Sequence, residues 1–316
     1  MTDPAATAVS PVDAARAAFD HTRRQLLPFR LEKWLVLGFL AFLDQCGRSG
    51  TWGPPGGGGD GGGEGIPHPG GKGAADLAAA LDTGLAWLSE HLAAVILGGL
   101  VLLVIVVAVM AAVVWLNARG TFMYLDAVVT GRAEVRRPWR EHAARADSYF
   151  GWSLGISLAG LAVVGIGVAL LGAVAVALAQ GRLTPATTGL VMVALLPVLL
   201  LLVLALPLLL LAGVALRDFV APLQLATGLP CGEAARVLEG LLLAHPGSFV
   251  VYLLLKLVLT VATGVVVVLG GCLTCCIGFL PVVLQTLFQP LFFFERAFPV
   301  FLLRQMGHPV DPSLGR

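Results

Sequence analysis

The sequence predicts an all-α integral membrane protein in which six transmembrane helices form three repeated helical hairpins with cytoplasmic amphipathic helices. Two observations predict this fold class. Hydrophobic residues are 58% and charged residues only 12% of the 316 residues, whereas soluble domains have about 25% charged residues. In addition, a segment that begins with Arg and closes on Gly occurs three times, each time directly after an apolar run.

The repeated segment follows the second, fourth and sixth apolar runs. In the two later copies Phe stands two residues and Gly eleven residues after the Arg, and the first copy has one extra residue before its Phe. An Arg beyond a span can anchor the helix end at the cytoplasmic interface, and Gly permits the left-handed turn that ends a short surface helix. We therefore expect the three Arg residues to perform one anchoring task. The segments are Arg119–Gly131, Arg217–Gly228 and Arg296–Gly307.

Six apolar runs are candidates for membrane-crossing helices. A hydrocarbon core is about 30 Å thick, so a helix needs about 20 apolar residues to cross it. The first run is short and crosses only if Lys33 extends its amine to the interface. We expect one membrane domain, 34–307, between an N-terminal tail with an amphipathic helix (1–33) and a C-terminal tail (308–316). The predicted spans are 34–46, 92–116, 154–179, 189–216, 249–269 and 277–294.

Basic residues are distributed unequally between alternate connections. If all six runs cross, one side of the membrane has sixteen Lys and Arg residues and the other has three; if the first run does not cross, the division is eleven against eight. Basic connections stay in the cytoplasm, which favours six crossings with both termini cytoplasmic and a Gly-rich linker, 47–73, in the periplasm. The bias towards Arg, Ala and Gly indicates a bacterial plasma (inner) membrane.

The segment before the first run is predicted to be an amphipathic surface helix. It places Val12, Ala15, Phe19 and Leu26 on one side, with Arg and Asp residues around the other. We expect this apolar side to lie on the membrane.

Longer stretches carry a resemblance to a known family. They are RGTFMYLDAVVTGRAEVRRPWREHAARADSYFGW after the second run, CLTCCIGFLP before the sixth and FFFERAFPVFLLRQMG after it. They resemble an uncharacterised family of bacterial six-span proteins, which is similar to the membrane domain attached to glycerophosphodiester phosphodiesterases. The phosphodiesterase barrel needs about 250 residues, and no connection here is long enough. The resemblance therefore implies fold and location, and no catalysis.

Motifs that could carry chemistry lack their partners. Ser153 stands in GWSLG, the pattern of a nucleophile elbow, but it opens an apolar helix without a preceding strand. Cys272, Cys275 and Cys276 could form a disulfide or a metal pair in an outward turn. No His or second C-x-x-C completes a zinc site, so apolar packing is favoured. We expect no enzyme activity, cofactor or metal, and the net charge of +1 gives no basis for nucleic-acid binding.

Basic residues are the candidate contacts for lipids or partner proteins. Lys256 lies inside a span near its cytoplasmic end, where extension of the amine to the interface is favoured over contact with a substrate or lipid phosphate. No Asp or Glu within a span accompanies it, which argues against a proton- or sodium-coupled transporter. The basic connection after the second span either attracts anionic head groups or only sets orientation. The candidates are Arg119, Arg132, Arg136, Arg137, Arg140, Arg217, Lys256 and Arg296.

The sequence thus indicates a non-enzymatic, multi-pass inner-membrane protein whose basic cytoplasmic loops bind lipid head groups or unknown protein partners. The alternative is a channel or facilitator for a small solute or a lipid. A continuous path of polar residues between spans would favour that alternative, and a dry, Leu-packed interior would favour a binding protein.

Overall fold

A computed structural model describes most of the chain, and all of its described secondary structure is helical, as predicted. The described residues are 9–46, 83, 84, 87, 90–179, 185–273, 280 and 282–310. The predicted linker 47–73, together with Cys275 and Cys276, lies outside them. The helices are α1 (Pro11–Leu26), α2 (Leu31–Gln45), α3 (Leu92–Thr130), α4 (Arg136–Glu141), α5 (Ala143–Ala179), α6 (Pro185–Ala215), a π-helical segment (Leu216–Val220), α7 (Ala221–Thr227), α8 (Cys231–Ala244), α9 (Pro246–Leu273), α10 (Val283–Leu287) and α11 (Gln289–Gln305).

The chain divides into two compact units. The first takes in the described residues of Met1–Gly57, Ala112–Leu154 and Gly213–Arg316, and the second those of Gly58–Ala111 and Gly155–Ala212. The predicted domain boundaries stay a prediction.

Among the described residues, four helices are long and apolar enough to cross a membrane, and they indicate a membrane protein. In each of them no residue of the most apolar stretch is buried inside the protein. They contain most of the second to fifth predicted spans. The four candidates are Leu92–Thr130, Ala143–Ala177, Val193–Thr227 and Pro246–Leu273.

The helix α3 continues beyond the end of its apolar run. The sequence predicts a separate surface helix from Arg119, but the structure has one helix of 39 residues, which is about 58 Å long. The side chains from Thr121 to Val129 are all buried. The prediction of a surface helix is therefore wrong here, because Phe122, Tyr124 and their apolar neighbours pack on every side of α3.

The glycines that close the repeated segments are in the predicted left-handed conformation. The φ angles of Gly131, Gly228 and Gly307 are 72°, 73° and 86°. Gly228 directly follows α7, and its N–H donates to the carbonyl of Gln224 at 2.9 Å. This part of the repeat is confirmed, since all three segments close on a Gly in the left-handed conformation.

The two shortest predicted spans differ from the four long helices. The first run forms α2, whose 15 residues extend about 22 Å. The described part of the predicted span 277–294 is not one helix, because α10 ends at Leu287 and α11 begins at Gln289. Pro290 explains the new start, since Pro lacks an N–H and suits the first turn of a helix. The helices α10 and α11 both pack against α2.

The helix α1 packs its small side chains against the protein and leaves Val12 and Phe19, on the side predicted to face the membrane, exposed. Val12 and Phe19 are 45% and 60% exposed, whereas Ala14 and Ala18 are fully buried. The small side chains allow α1 to pack closely against α11. Leu26 is buried as well. The placement of the apolar side on the membrane stays a prediction.

Candidate functional site

The Arg residues of the second and third repeated segments lie inside the first unit. Arg217 is 5% exposed and Arg296 is 1% exposed. Arg296 donates from Nη1 to the carbonyl of Arg217 at 2.7 Å and from Nη2 to the carbonyl of Thr121 at 3.4 Å. The third segment is therefore bonded to the backbones of the other two. The expected anchoring at the membrane surface is not the arrangement seen at these two residues.

A carboxylate at the end of α2 binds both of these arginines. Asp44 is fully buried, and its Oδ2 accepts from Arg217 Nη2 at 2.5 Å. Its Oδ1 accepts from the hydroxyl of Thr121 at 2.8 Å and lies 3.7 Å from Arg296 Nη2. The amide of Asn117 donates to the last carbonyls of α2, including that of Asp44 at 2.6 Å. The C-terminal end of α2 is thus fixed against α3 by polar contacts.

A π-helical turn directs two adjacent charged residues inward. All five residues of Leu216–Val220 are buried, including the neighbours Arg217 and Asp218. Neighbouring residues of a regular α-helix point about 100° apart, and π-turns inside α-helices often occur at functional sites. Asp218 accepts from the hydroxyl of Tyr252 at 2.9 Å and forms an ion pair with Lys256 at 2.5 Å.

Lys256 is paired with two carboxylates inside the protein. Its Nζ lies 2.5 Å from Asp218 and 3.3 Å from Glu295. Both carboxylates lie just outside the predicted spans, where the search for an acidic partner within the spans did not reach. Asp218 directly follows Arg217, and Glu295 directly precedes Arg296. Each carboxylate therefore lies on a helix other than that of Lys256, and the sequence of the Lys256 span alone does not reveal it.

We call these six side chains the charge cluster. Its three acidic and three basic residues balance in formal charge. Buried ion pairs gain little over apolar packing, but removal of one partner leaves a buried charge and costs about 3–5 kcal/mol. The first unit therefore depends on the members of the charge cluster that are nearly fully buried. They are Asp44, Arg217, Asp218, Lys256, Glu295 and Arg296.

Two further candidate arginines are bound by neighbouring side chains. Arg119 lies 5.4 Å and 5.7 Å from the ring centres of Trp115 and Trp139, and it forms an ion pair with Asp147 at 2.8 Å. Arg137 is bound by three carboxylates, the nearest being Asp126 at 2.7 Å. Although partial burial opposes it, these carboxylates raise the pKa of Arg137.

The remaining candidates on the same connection are accessible. Arg132, Arg136 and Arg140 are exposed, and none of them has an ion pair within the part of the chain that the structure describes. The structure thus separates the eight predicted contacts into five that protein groups hold and three whose guanidinium groups face outward.

The family model for a family of unknown function (DUF7544) matches residues 9–305. The chain belongs to this DUF7544 family. No curated protein and no solved structure matches it. The resemblance to the membrane domain attached to glycerophosphodiester phosphodiesterases stays a prediction.

The chemistry of metal and thiol groups in this DUF7544 member is limited. Among the described residues no group of three His, Cys, Asp or Glu side chains could hold a metal ion. Burial raises the pKa of the Cys231 thiol to about 12, so this thiol is protonated at neutral pH and is a poor nucleophile. Cys272 is exposed with a free thiol. Cys275 and Cys276, the other cysteines of the predicted outward turn, lie outside the described residues.

The carboxylates of the charge cluster were not predicted as site residues. Asp44 stands at the end of an apolar run, and Asp218 and Glu295 each stand next to a repeated Arg. Their adjacency to apolar spans was the available signal, because ionisable residues there are costly unless they are paired.

Proposed function

We propose that this DUF7544 member is a non-enzymatic, multi-pass protein of the bacterial plasma membrane that binds anionic lipid head groups through Arg132, Arg136 and Arg140. The observation that carries the proposal is the division of the arginines. These three side chains are exposed without an ion pair in the described structure, whereas Arg119 and Arg137 on the same connection are held by carboxylates.

The position of this connection supports the proposal. It joins α3 to α5, and both are helices long and apolar enough to cross a membrane. The rings of Trp115 and Trp139 lie beside Arg119, and Trp residues are enriched at membrane interfaces. Each Arg close to an anionic surface contributes about 1 kcal/mol to binding.

The proposal includes six spans, arranged as three hairpins, with both termini in the cytoplasm. The shared left-handed glycines and the joined Arg segments support a threefold repeat. Reporter fusions after Gly73 and Gln180 are expected to report the periplasm, and fusions after Gly131 and Gly228 the cytoplasm. A cytoplasmic signal after Gly73 would contradict the crossing of α2.

Native mass spectrometry of the full-length protein tests the lipid proposal. The detergent-solubilised protein is titrated with phosphatidylglycerol and, separately, with zwitterionic phosphatidylcholine. We expect selective retention of phosphatidylglycerol. The triple variant Arg132→Gln, Arg136→Gln, Arg140→Gln is expected to lose this selectivity, because three charges contribute about 3 kcal/mol.

A second triple variant is the matched control. Arg16→Gln, Arg236→Gln and Arg304→Gln remove the same formal charge at other exposed positions. Equal loss of selectivity in both variants would show that net charge alone matters, and the proposed site would then be wrong. The alternative of a channel is less well supported, because every member of the charge cluster has a protein partner.

A further inference from the structure

Glu295 is the most accessible member of the charge cluster. Its side chain is 30% exposed, whereas that of Lys256 is 11% exposed and that of Asp218 is 1% exposed. Its Oε1 lies 3.2 Å from Arg217 Nη1 and 3.3 Å from Lys256 Nζ. Each of these cations also has a closer carboxylate at 2.5 Å, either Asp44 or Asp218. Glu295 can therefore leave without removing the nearest counter-charge of either cation.

A recess opens beside Glu295 on the side of α9. It is lined by Lys256, Thr260 and Thr263 from α9 and by apolar side chains of α11 that include Leu291 and Phe294. Its volume of about 10 Å³ admits about one water molecule. Two hydroxyl side chains and an amine thus line one wall, and Glu295 together with apolar side chains lines the rest.

The helix that forms this wall is one of the four candidate spans. Lys256 is ten residues from Pro246, so the amine lies about 15 Å along the helix from its start. The exposed side chains that continue along α9, including Val261 at 61% and Val265 at 54%, are apolar. A ligand with a small anionic head and one apolar chain fits this order of polar and apolar groups.

We propose that the recess binds the carboxylate of a single-chain amphiphile, a long-chain fatty acid, in place of Glu295. The entering carboxylate bridges Arg217 and Lys256 as Glu295 does, and Thr260 and Thr263 offer hydroxyl donors to it. The exchange preserves the number of negative charges beside the two cations. In addition, Arg217 Nε is buried without a hydrogen-bond partner and is a further donor on one of these cations. A carboxylate already fits between these cations, which favours carboxylate over the bulkier phosphate.

Electron paramagnetic resonance of spin-labelled stearate tests the proposal with the full-length protein in phosphatidylcholine vesicles. The measured quantity is the fraction of motionally restricted label relative to spin-labelled phosphatidylcholine. Glu295→Gln keeps the shape of the side chain but removes its charge, and it is expected to raise relative association about fivefold, as one additional net charge predicts. Adding Lys256→Met to that variant is expected to abolish the gain.

Control variants separate this site from general charge effects. Glu239→Gln removes an exposed carboxylate of α8 and is expected to change nothing. Adding the triple variant of Arg132, Arg136 and Arg140 is expected to leave the gain from Glu295→Gln unchanged. The experiment therefore tests this site independently of the proposed head-group surface. A gain in Glu239→Gln equal to that in Glu295→Gln would overturn the proposal.

A filled recess gives a test that keeps all charges. Thr263→Trp places an indole in the recess and is expected to reduce stearate association to that of the phosphatidylcholine label. If circular dichroism shows that Glu295→Gln does not fold, Thr263→Trp alone tests the proposal. Stearate association equal to that of the wild type would then contradict it. A spin-labelled alkyl phosphate of the same chain length is measured in parallel, and a larger gain for the phosphate would show that the site selects the wrong class of anion.

Discussion

The two units of the chain differ in where their charged side chains lie. The described stretches 92–111, 155–179 and 185–212 of the second unit contain no Asp, Glu, Lys or Arg. The first unit, in contrast, contains the whole charge cluster, with Asp44 and Arg296 at 0% and 1% exposure. Apolar side chains gain nothing from leaving lipid for another apolar surface. We infer that apolar composition alone makes the long helices candidate spans. The packing of the helices in the first unit depends instead on particular pairs of polar side chains.

The aromatic residues of the repeats reinforce this packing of the first unit. Phe219 and Phe298 both contact the ring of Tyr252, with centroids 4.8 Å and 4.9 Å away, and Phe122 contacts Tyr149 at 5.7 Å. Each such pair contributes about 0.5–1.5 kcal/mol beyond the area that it buries. The repeated Phe thus packs against the start of a neighbouring long helix.

We expect the largest effect on stability from the loss of a buried counter-charge. Asp44→Asn leaves Arg217 and Arg296 with an excess positive charge, and we expect the free energy of unfolding to fall by about 3–5 kcal/mol. Asp147→Asn is the control, because this partner of Arg119 is 54% exposed, and such a pair contributes about 0.2–1 kcal/mol. Thermal unfolding in detergent measures both. Equal destabilisation would mean that the charge cluster is not a special feature of the first unit.

Replacement of Arg by Lys compares the fully buried repeat position Arg296 with Arg119, whose side chain is 11% exposed. Arg296 binds two carbonyls through separate nitrogens, at 2.7 Å and 3.4 Å, and a Lys amine cannot reproduce this planar arrangement. We expect Arg296→Lys to cost about 1–3 kcal/mol through an unpaired buried carbonyl. Arg119→Lys keeps the charge beside Asp147 and the two Trp rings, so it should cost less. The same thermal measurement checks this, and a more harmful Arg119→Lys would contradict it.

The next largest loss of stability is expected where α2 and α3 approach each other closely at Gly120. A Cβ atom on Gly120 would lie 2.6 Å from Leu43 Cβ and 2.7 Å from the backbone nitrogen of Asp44. Gly120→Ala must therefore move α2, and we expect a loss of about 1–3 kcal/mol in the free energy of unfolding. Gly99→Ala on the same helix is the control, since no atom lies within 4 Å of its added Cβ, and it is expected to be neutral or slightly stabilising.

Sequence reasoning succeeds where the signal is local. The length of the apolar runs predicts the four long helices, and the requirement of a left-handed turn predicts the φ of Gly131, Gly228 and Gly307. It fails where a partner is distant in sequence, since Asp44 and Arg217 are 173 residues apart. The α1 helix shows the same limit, because its small residues are buried only through the presence of α11.

The smallest expected effect is a pH dependence at the contact between α1 and α11. His21 is 5% exposed, its Nε2 donates to the carbonyl of Val128 at 2.8 Å, and its ring stacks on Phe293. Burial lowers the pKa of His21, the bond to the Val128 carbonyl opposes this, and the charges of Arg24 and Lys33 lower it further. The folded protein therefore binds this proton less readily than the unfolded chain, whose His pKa is about 6.5. The stability that neutral His21 contributes is present above this value and is lost as the pH falls below it.

We expect the thermal midpoint of the wild type to decrease from pH 7 to pH 5. The midpoint of His21→Gln is expected to decrease less, because Gln stays neutral and can still donate to the carbonyl of Val128. His91→Gln, which changes an exposed histidine, should follow the wild-type curve; if it flattens the curve as much as His21→Gln does, the buried ring is not the group that titrates.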